Sequence, residues 1–355
     1  MFTMNSSLNN ESSIKKQERP FVSILIPVWN EVDNIEGCVE SVRKQSYPKE
    51  LIEILIADGM SEDGTRQKLG EFIGLDGRIR MYDNPGQIVP TGMNILLRQV
   101  KGDVIIRVDG HCLIARDYVE KCVNYLMKDG IVAVGGPMRT IESSFTGKAI
   151  SLAQSSKFGV GNSSFRTESG KTKYVDTVPF PAYRKSLIDH VGLYDEELVR
   201  NQDDEYNYRI RSRGYSVLLA EDVRSTYFSR SSFRKLWRQY FQYGFYKVRV
   251  LQKHPGQMSL RQFVPFLFVL GFLFLFVLAM ITSWGWLALM SMILLYLIVN
   301  LAYSIQLAFK HGFENLLRLP IAFAILHTAY GLGFIFGLFR FWNRWGDKEG
   351  QVPKF

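Results

Sequence analysis

Gly102-Asp103-Val104-Ile105-Ile106-Arg107-Val108-Asp109-Gly110-His111 is a short β-branched run that stops at an acid, a glycine and a histidine. Such a run, bounded by polar residues, predicts a buried strand. It delivers two side chains of metal-ligating chemistry to its C-terminal edge, and open α/β sheets bind ligands beyond the carboxyl ends of their strands. Gly110 permits a tight bend, so the Asp109 carboxylate and the His111 imidazole can share one divalent cation. On this stretch alone the plainer reading, a strand ending in a polar turn, stays open.

Working outward, the pattern repeats. Residues 22–27 form a first strand closed by Pro27, followed by the polar loop Trp29-Asn30-Glu31. Residues 34–45 carry Ile35, Val39 and Val42 at helical spacing. A second strand over 51–57 runs into Asp58-Gly59-Met60-Ser61-Glu62-Asp63-Gly64-Thr65. Residues 78–82 predict a short third strand, 89–100 a helix and 104–108 the next strand. Strands alternating with helices imply a largely parallel sheet with right-handed crossovers. Further on, 118–127 and 203–213 read as helices, 131–134 and 216–219 as strands, and the Ser-, Gly- and Thr-rich stretch 145–173 as a loop over the sheet. Single acids after strands commonly cap helices. Three such strand ends opening on one edge, with Gly59 and Gly110 allowing close backbone approach, instead gather acids where a nucleotide can sit.

The second half changes character. Residues 263–281, 284–309 and 319–339 are each long and apolar enough to cross a bilayer, which takes about 20 residues. A soluble helical domain would normally show a polar face. The net charge of +9 admits nucleic-acid binding, but much of the excess lies beside the apolar block: Arg230, Arg234, Lys235, Arg238, Lys247, Arg249, Lys253 and Arg261. Positive charge before a first span marks the cytoplasmic side and suits anionic headgroups. Among these charges Phe233, Leu236, Trp237, Tyr240, Phe241 and Gly244 recur at helical spacing. They predict a helix that lies on the membrane or packs on the head domain. The cysteines Cys38, Cys112 and Cys122 have no metal or redox spacing and fit reduced cytosolic thiols. The first 20 residues lack an apolar signal core, which keeps the head in the cytosol. The expected organisation is a flexible tail over 1–20, a catalytic domain over 21–230, a basic amphipathic interfacial segment over 231–261, about three transmembrane helices over 262–340 and a tail over 341–355. Three crossings put that tail outside, whereas Arg340, Arg344, Lys348 and Lys354 favour the inside. A bent or re-entrant 319–339, with Gly331, Gly333 and Gly337, would reconcile the two.

In order along 21–249, the chain resembles glycosyltransferase family 2. Residues 22–31 are similar to its opening strand and 54–65 to its second-strand motif. Asn84-Pro85, Gly92-Met93-Asn94 and 102–111 continue the match. Gly192-Leu193-Tyr194-Asp195-Glu196 and Asn201-Gln202-Asp203-Asp204-Glu205 resemble its acceptor-side motifs. The version with His111, and with apolar C-terminal helices, looks most like the glucosyltransferases of succinoglycan-type exopolysaccharide synthesis. The resemblance implies a GT-A fold, α/β with a mixed, mainly parallel sheet, followed by transmembrane helices.

It also implies a role for each matching residue. Pro27, Glu31, Asp58, Asn94 and Asp109 would bind the donor, with Asp58 on the uracil edge. Asp109 and His111 would hold a divalent metal, Mn2+ or Mg2+. His111 replaces the second acid of the usual Asp-x-Asp, a change that suits manganese. Asp203 would be the catalytic base, with Gln202 where a Glu is usual. Asp204, Gln242, Tyr243 and Gly244 would lie on the acceptor side. The implied partners are a UDP-sugar, a lipid-linked saccharide acceptor and membrane lipids, with no nucleic acid. The implied place is the inner membrane, multi-pass, with the head cytoplasmic. Two alternatives remain open at the sequence level: transfer to polyprenyl phosphate itself, and a non-catalytic membrane scaffold that binds sugar nucleotides.

Overall fold

The computed structural model describes residues 19–141, 144–161, 171–228 and 232–347. Residues 1–18 of the expected N-terminal tail lie outside them, as do Arg230, residues 162–170, and 348–355 with Lys348 and Lys354. Strands β1 (Val22–Val28), β2 (Ile52–Asp58), β3 (Ile79–Asp83) and β4 (Val104–Arg107) run parallel in the order β3-β2-β1-β4. β5 (Cys112–Ile114), β6 (Ile131–Gly135), β7 (Met138–Ile141), β8 (Lys173–Val175), β9 (Ala182–Arg184), β10 (Ser216–Leu219) and β11 (Ser225–Phe228) follow. The main sheet continues from β4 through β9, β6, β10 and β8, with β9 and β8 antiparallel to their neighbours. The sheet is therefore mixed and mainly parallel. β5, β11 and β7 form a small second sheet.

β1 is apolar on both faces because both are covered. Ile24 and Ile26 pack with helices α1 (Ile35–Arg43) and α4 (Tyr118–Leu126). Leu25 packs on the other side with α3 (Val89–Leu97), α7 (Lys185–Val191) and α8 (Gln202–Ser212). α2 (Thr65–Leu75) flanks β3. Pro27 does not end β1 as expected; it pairs with Ala57 inside the strand. Leu25 faces β4, where its carbonyl accepts from Val108 N, and Pro27 faces the same way beyond the last paired residue. Its missing N–H therefore leaves no ladder bond unmade. Gly102 begins the β4 approach because a Cβ there would sit 2.6 Å from Ser23 N.

Residues 145–160 are not the expected loop, and 162–170 of that stretch lie outside the described residues. α5 (Phe145–Gln154) and α6 (Lys157–Val160) stand there, each with a serine N-cap, Ser144 and Ser156. Ala149, Ile150 and Ala153 are buried against the distant C-terminal helix, so the partner that makes this stretch helical is remote in sequence.

The remaining helices are α9 (Phe233–Lys253), α10 (Leu260–Ala279), α11 (Ser283–His311) and α12 (Leu319–Arg340). The last three are long and apolar enough to cross a membrane. α10 and α11 form an antiparallel hairpin with its tip near residue 281, and much of it is exposed Leu, Phe, Val and Trp. α12 is one continuous helix and is not broken at its glycines. It meets α10 at Phe263, Pro265, Phe266 and Val269, and α11 at Tyr296, Asn300 and Tyr303. These contacts fall at the hairpin's base. α9 runs alongside α12: a Cβ on Gly244 would lie 2.0 Å from Tyr330 O, one on Gly333 2.0 Å from Phe241 O, and one on Gly337 2.5 Å from Phe245 O. The glycines thus mark backbone-to-backbone contact between helices.

The basic residues of α9 divide into two groups. Arg234, Lys235 and Arg238 are exposed. Lys247, Arg249 and Lys253 do not face lipid headgroups. They are buried and paired with head-domain acids, Lys247 with Asp204, Arg249 with Glu197 and Lys253 with Asp195 and Glu197. Arg344, just after α12, pairs with Glu197 at 2.7 Å, and Asp347 with Arg249 at 3.1 Å. The chain after α12 therefore returns to the head.

Candidate active site

The register of the parallel strands lines up the ends that carry chemistry. Val28 lies beside Asp58, and Asp58 beside Asp83. Asp58 is wholly buried. Its Oδ2 accepts from Ser61 N at 3.0 Å and Arg66 Nη1 at 2.7 Å, while Oδ1 has no hydrogen-bond partner. Arg66 also reaches Asp83 at 2.8 Å. Asn30 and Met60 adopt left-handed backbone, φ 52° and 58°, and interlock the two loops through Asn30 N to Ser61 Oγ. Trp29 lies half exposed over Gly59, where a Cβ would come 3.0 Å from Trp29 Cβ.

Beyond β4, Gly110 lies against the end of β1, since a Cβ there would be 2.8 Å from Val28 Cγ1. Asp109 Oδ1 accepts from Arg107 Nε at 2.9 Å. Burial works to raise the Asp109 carboxyl, but Arg107, with His111 and Arg200, outweighs it and holds the group below the usual carboxylate range. Arg107 is buried, which disfavours its charge; Asp109, Tyr194 and Asp203 more than restore it. His111 Nδ1 is buried, 2.8 Å from Glu31 Oε1, yet makes no aligned hydrogen bond. Tyr227 packs edge-on to the imidazole. Among the described residues no group of three or more His, Cys, Asp or Glu forms a metal cage. Asp109 kept ionised and an unpartnered imidazole nitrogen nonetheless fit a cation that draws its other ligands from a substrate phosphate, as divalent ions in phosphate sites commonly do.

Asp203 and Asp204 open α8, where a helix N-terminus favours carboxylates. Asn201 before them has φ 64° and donates from Nδ2 to Tyr243 O at 3.0 Å; Arg200 Nε donates to Gln242 Oε1 at 3.1 Å. Asp204 is held by Lys247 Nζ at 2.5 Å. Asp203 has no ion-pair partner among the described residues.

One cavity of about 1520 Å³ joins these parts. Pro27, Glu31, Asp109, His111, Asp203, Asp204, Gln242 and Tyr243 all line it. Asp58 lies behind its wall, under the Trp29–Asn30 loop. Two other expected residues have different tasks. Asn94 is fully buried and uses its amide on Tyr194 and Glu196, bracing the 192–196 loop. Gly244 is the helix contact with α12. The sequence reading missed Arg107, legible as a charge inside a β-branched run, and Gln239, whose buried Oε1 is unpartnered and which stands one turn before Tyr243.

The family model for glycosyl transferase family 2 matches residues 23–192. The succinoglycan biosynthesis protein ExoA of Rhizobium meliloti is 30% identical over 313 residues, covering 88% of this chain and 93% of the relative. A dolichyl N-acetyl-glucosaminyl phosphate diacetamido-dideoxy-glucuronosyltransferase of Methanococcus voltae is 26% identical over 90% of this chain and 98% of its own. Among solved structures, a mannosyltransferase of Pyrobaculum calidifontis in complex with GDP-mannose and Mn2+ superposes with a TM-score of 0.59 at 16% identity, covering 88% of both chains. GalNAc-T7 with UDP, GalNAc and Mn2+ gives 0.50 at 18%, over 69% of this chain and 52% of its own. These likenesses identify the fold.

Proposed function

The chain belongs to glycosyl transferase family 2, and we propose that it is a membrane-anchored, inverting enzyme moving a sugar from a UDP-sugar to a lipid-linked saccharide. One observation carries the reading: Asp109 and Asp203, from distant parts of the chain, open into a single cavity that runs on to the base of an apolar helix hairpin. The named relatives act in exopolysaccharide synthesis and on a dolichyl-phosphate-linked sugar, which agrees with that arrangement.

Each residue has a task in this reading. Asp58, bonded to Ser61 N and Arg66, braces the loops beside the nucleoside from behind the cavity wall, while Pro27 and Glu31 flank the nucleoside. Asp109 and His111 hold the divalent cation, which when bound supplies positive charge to the leaving diphosphate. Asp203, with no ion-pair partner among the described residues, takes the proton of the attacking hydroxyl. Asp204, fixed by Lys247, positions the helix end that carries Asp203. A single in-line attack inverts the anomeric centre. The head stands on the cytoplasmic side of the inner membrane, where nucleotide sugars are made, with α10 and α11 in the bilayer.

The experiment is a screen of purified protein against radiolabelled UDP- and GDP-sugars with a lipid extract as acceptor source. Transfer from a UDP-sugar, stopped by EDTA and restored by manganese, is expected. Binding of UDP without transfer or donor hydrolysis would favour a scaffold and overturn the reading.

A further inference from the structure

Arg107 leaves β4 on the face of Ile105, by the period of two, and that face packs with α8. The residue is buried and lines the cavity. Among the described residues its side chain makes one aligned hydrogen bond, from Nε to Asp109 Oδ1 at 2.9 Å. A buried charge so sparsely bonded is kept at a cost in stability. A line of contacts leads from it to the other carboxylate. Burial raises the Tyr194 phenol, and the neighbouring Arg107 guanidinium offsets part of that rise; the buried Tyr194 hydroxyl also lacks an aligned hydrogen bond. The Tyr194 ring stacks on Tyr206 of α8 at 4.2 Å between centroids, three residues after Asp203 and on the same side of the helix. Asn207 Nδ2 donates to Thr177 Oγ1 and to Asp203 O, at 2.9 Å each, and fixes that helix end. Against the cost of burial, Asp203 joins Asp109 and Tyr194 in keeping Arg107 cationic.

Arg107 thus meets the donor-side acid directly and the helix of the base through Tyr194. Resting on the functional reading above, we propose that Arg107 is a positioning residue that aligns Asp109 with Asp203. Its Nε holds Asp109 by Oδ1 and leaves Oδ2 to the donor side. The rest of the guanidinium, through Tyr194 and Tyr206, holds the start of α8 at a set distance from that acid. One side chain then aligns donor and base, so its loss disturbs nucleotide binding and turnover together. A role confined to balancing the Asp109 charge would leave α8 and Asp203 unaffected.

The test uses the full chain in detergent and has two readouts. The first is a melting cycle with Arg107→Met and Asp203→Asn, which needs no substrate. Linked residues give non-additive effects, so Asp203→Asn is expected to cost at least about 2 °C more in the wild-type background than in the Arg107→Met background. Arg107→Gln takes the place of Arg107→Met in the cycle if the latter does not fold. The second readout is UDP affinity with manganese, set beside kcat. Arg107→Lys keeps the charge but loses the planar fork; it is expected to hold UDP within about threefold of wild type while kcat falls at least about tenfold. Arg107→Met weakens UDP about tenfold, the scale of one charge-assisted contact, and lowers kcat further than Arg107→Lys does. An equal melting cost of Asp203→Asn in both backgrounds would overturn the proposal. So would a wild-type kcat in Arg107→Lys, since charge alone would then suffice. A coupled melting cycle in a protein that binds no UDP sinks the functional reading alone, and transfer by a protein whose cycle is additive sinks this one alone.

Discussion

Lys247 of α9 lies 2.5 Å from the Asp204 carboxylate, at the start of the helix that also carries Asp203. The contact distinguishes two adjacent acids that are alike in sequence. Asp204 is paired with a buried lysine, while Asp203 lines the cavity with no ion-pair partner among the described residues. Asp203→Asn is expected to reduce transfer by about 10²–10⁴-fold, the range for a general base, with UDP affinity nearly unchanged. Asp204→Asn strands a buried ammonium, which costs about 3–5 kcal/mol, so its main signature is a lower melting temperature. The reverse pattern, with Asp204→Asn losing the chemistry, would move the base to Asp204.

The α9–α12 contact tolerates no side chain at its glycines. Gly333→Leu and Gly244→Val would drive a Cβ to 2.0 Å from a carbonyl oxygen of the facing helix. Each is expected to destabilise by more than the ~1–3 kcal/mol typical of overpacking. Gly271→Ala is the control: its Cβ meets only Met292 Cε at 3.8 Å, and alanine favours a helix by ~1 kcal/mol. Melting in detergent, with the control at or above wild type, tests the assignment.

The ion pairs of Arg344 and Asp347 with the head mean that, under the proposed membrane anchoring, the chain after α12 would lie on the same face of the membrane as the head. Two crossings, by α10 and α11, with α12 across their base, meet that condition and agree with the basic residues at the end of α12. The native cysteines are buried, and burial pushes the Cys38 thiol up to about 12, so they do not compete for a thiol probe. An impermeant maleimide should label a cysteine added after Phe355 from the head's side and Ile281→Cys from the opposite side. Labelling of both from one side would refute this topology.

Glu197 ties the same clasp to pH. Burial raises its carboxyl, but Lys253, Arg344 and Arg249 hold it down to about 2 against an ordinary 4.5. A depressed folded value means that the stabilisation is complete above 4.5 and drains away as pH falls toward 2. The melting temperature should therefore drop through that window, and Glu197→Gln should flatten part of the drop while lowering stability at neutral pH. An unchanged acid profile in Glu197→Gln would show that the clasp is not the cause.

Much of the head was readable residue by residue because local pattern and global fold agree there. Ser216–Leu219 is a strand as expected, and the Gly102–His111 stretch ends at the cavity. The misreadings share one physical cause, a distant partner. The small apolar face of α5 makes sense only against α12. Asn94 looks like a donor ligand until a loop 100 residues on satisfies its amide. Lys247, Arg249 and Lys253 look like headgroup contacts because sequence records charge but not the buried acid that faces it. Pro27 signals a strand end by type, while its position beyond the last β4 pairing removes the penalty.

The glycine seam between α9 and α12 also fixes an altitude. With two helices touching along their backbones and the tail fastened to the head, the domain that carries Asp203 is joined to the apolar helices by more than the chain itself. Under the proposed function, new linkages would form at a near-constant height, and a glycan already taller than that height would have to fold aside before its tip could react. On that reading the scaffold itself would serve as a ruler for acceptor length.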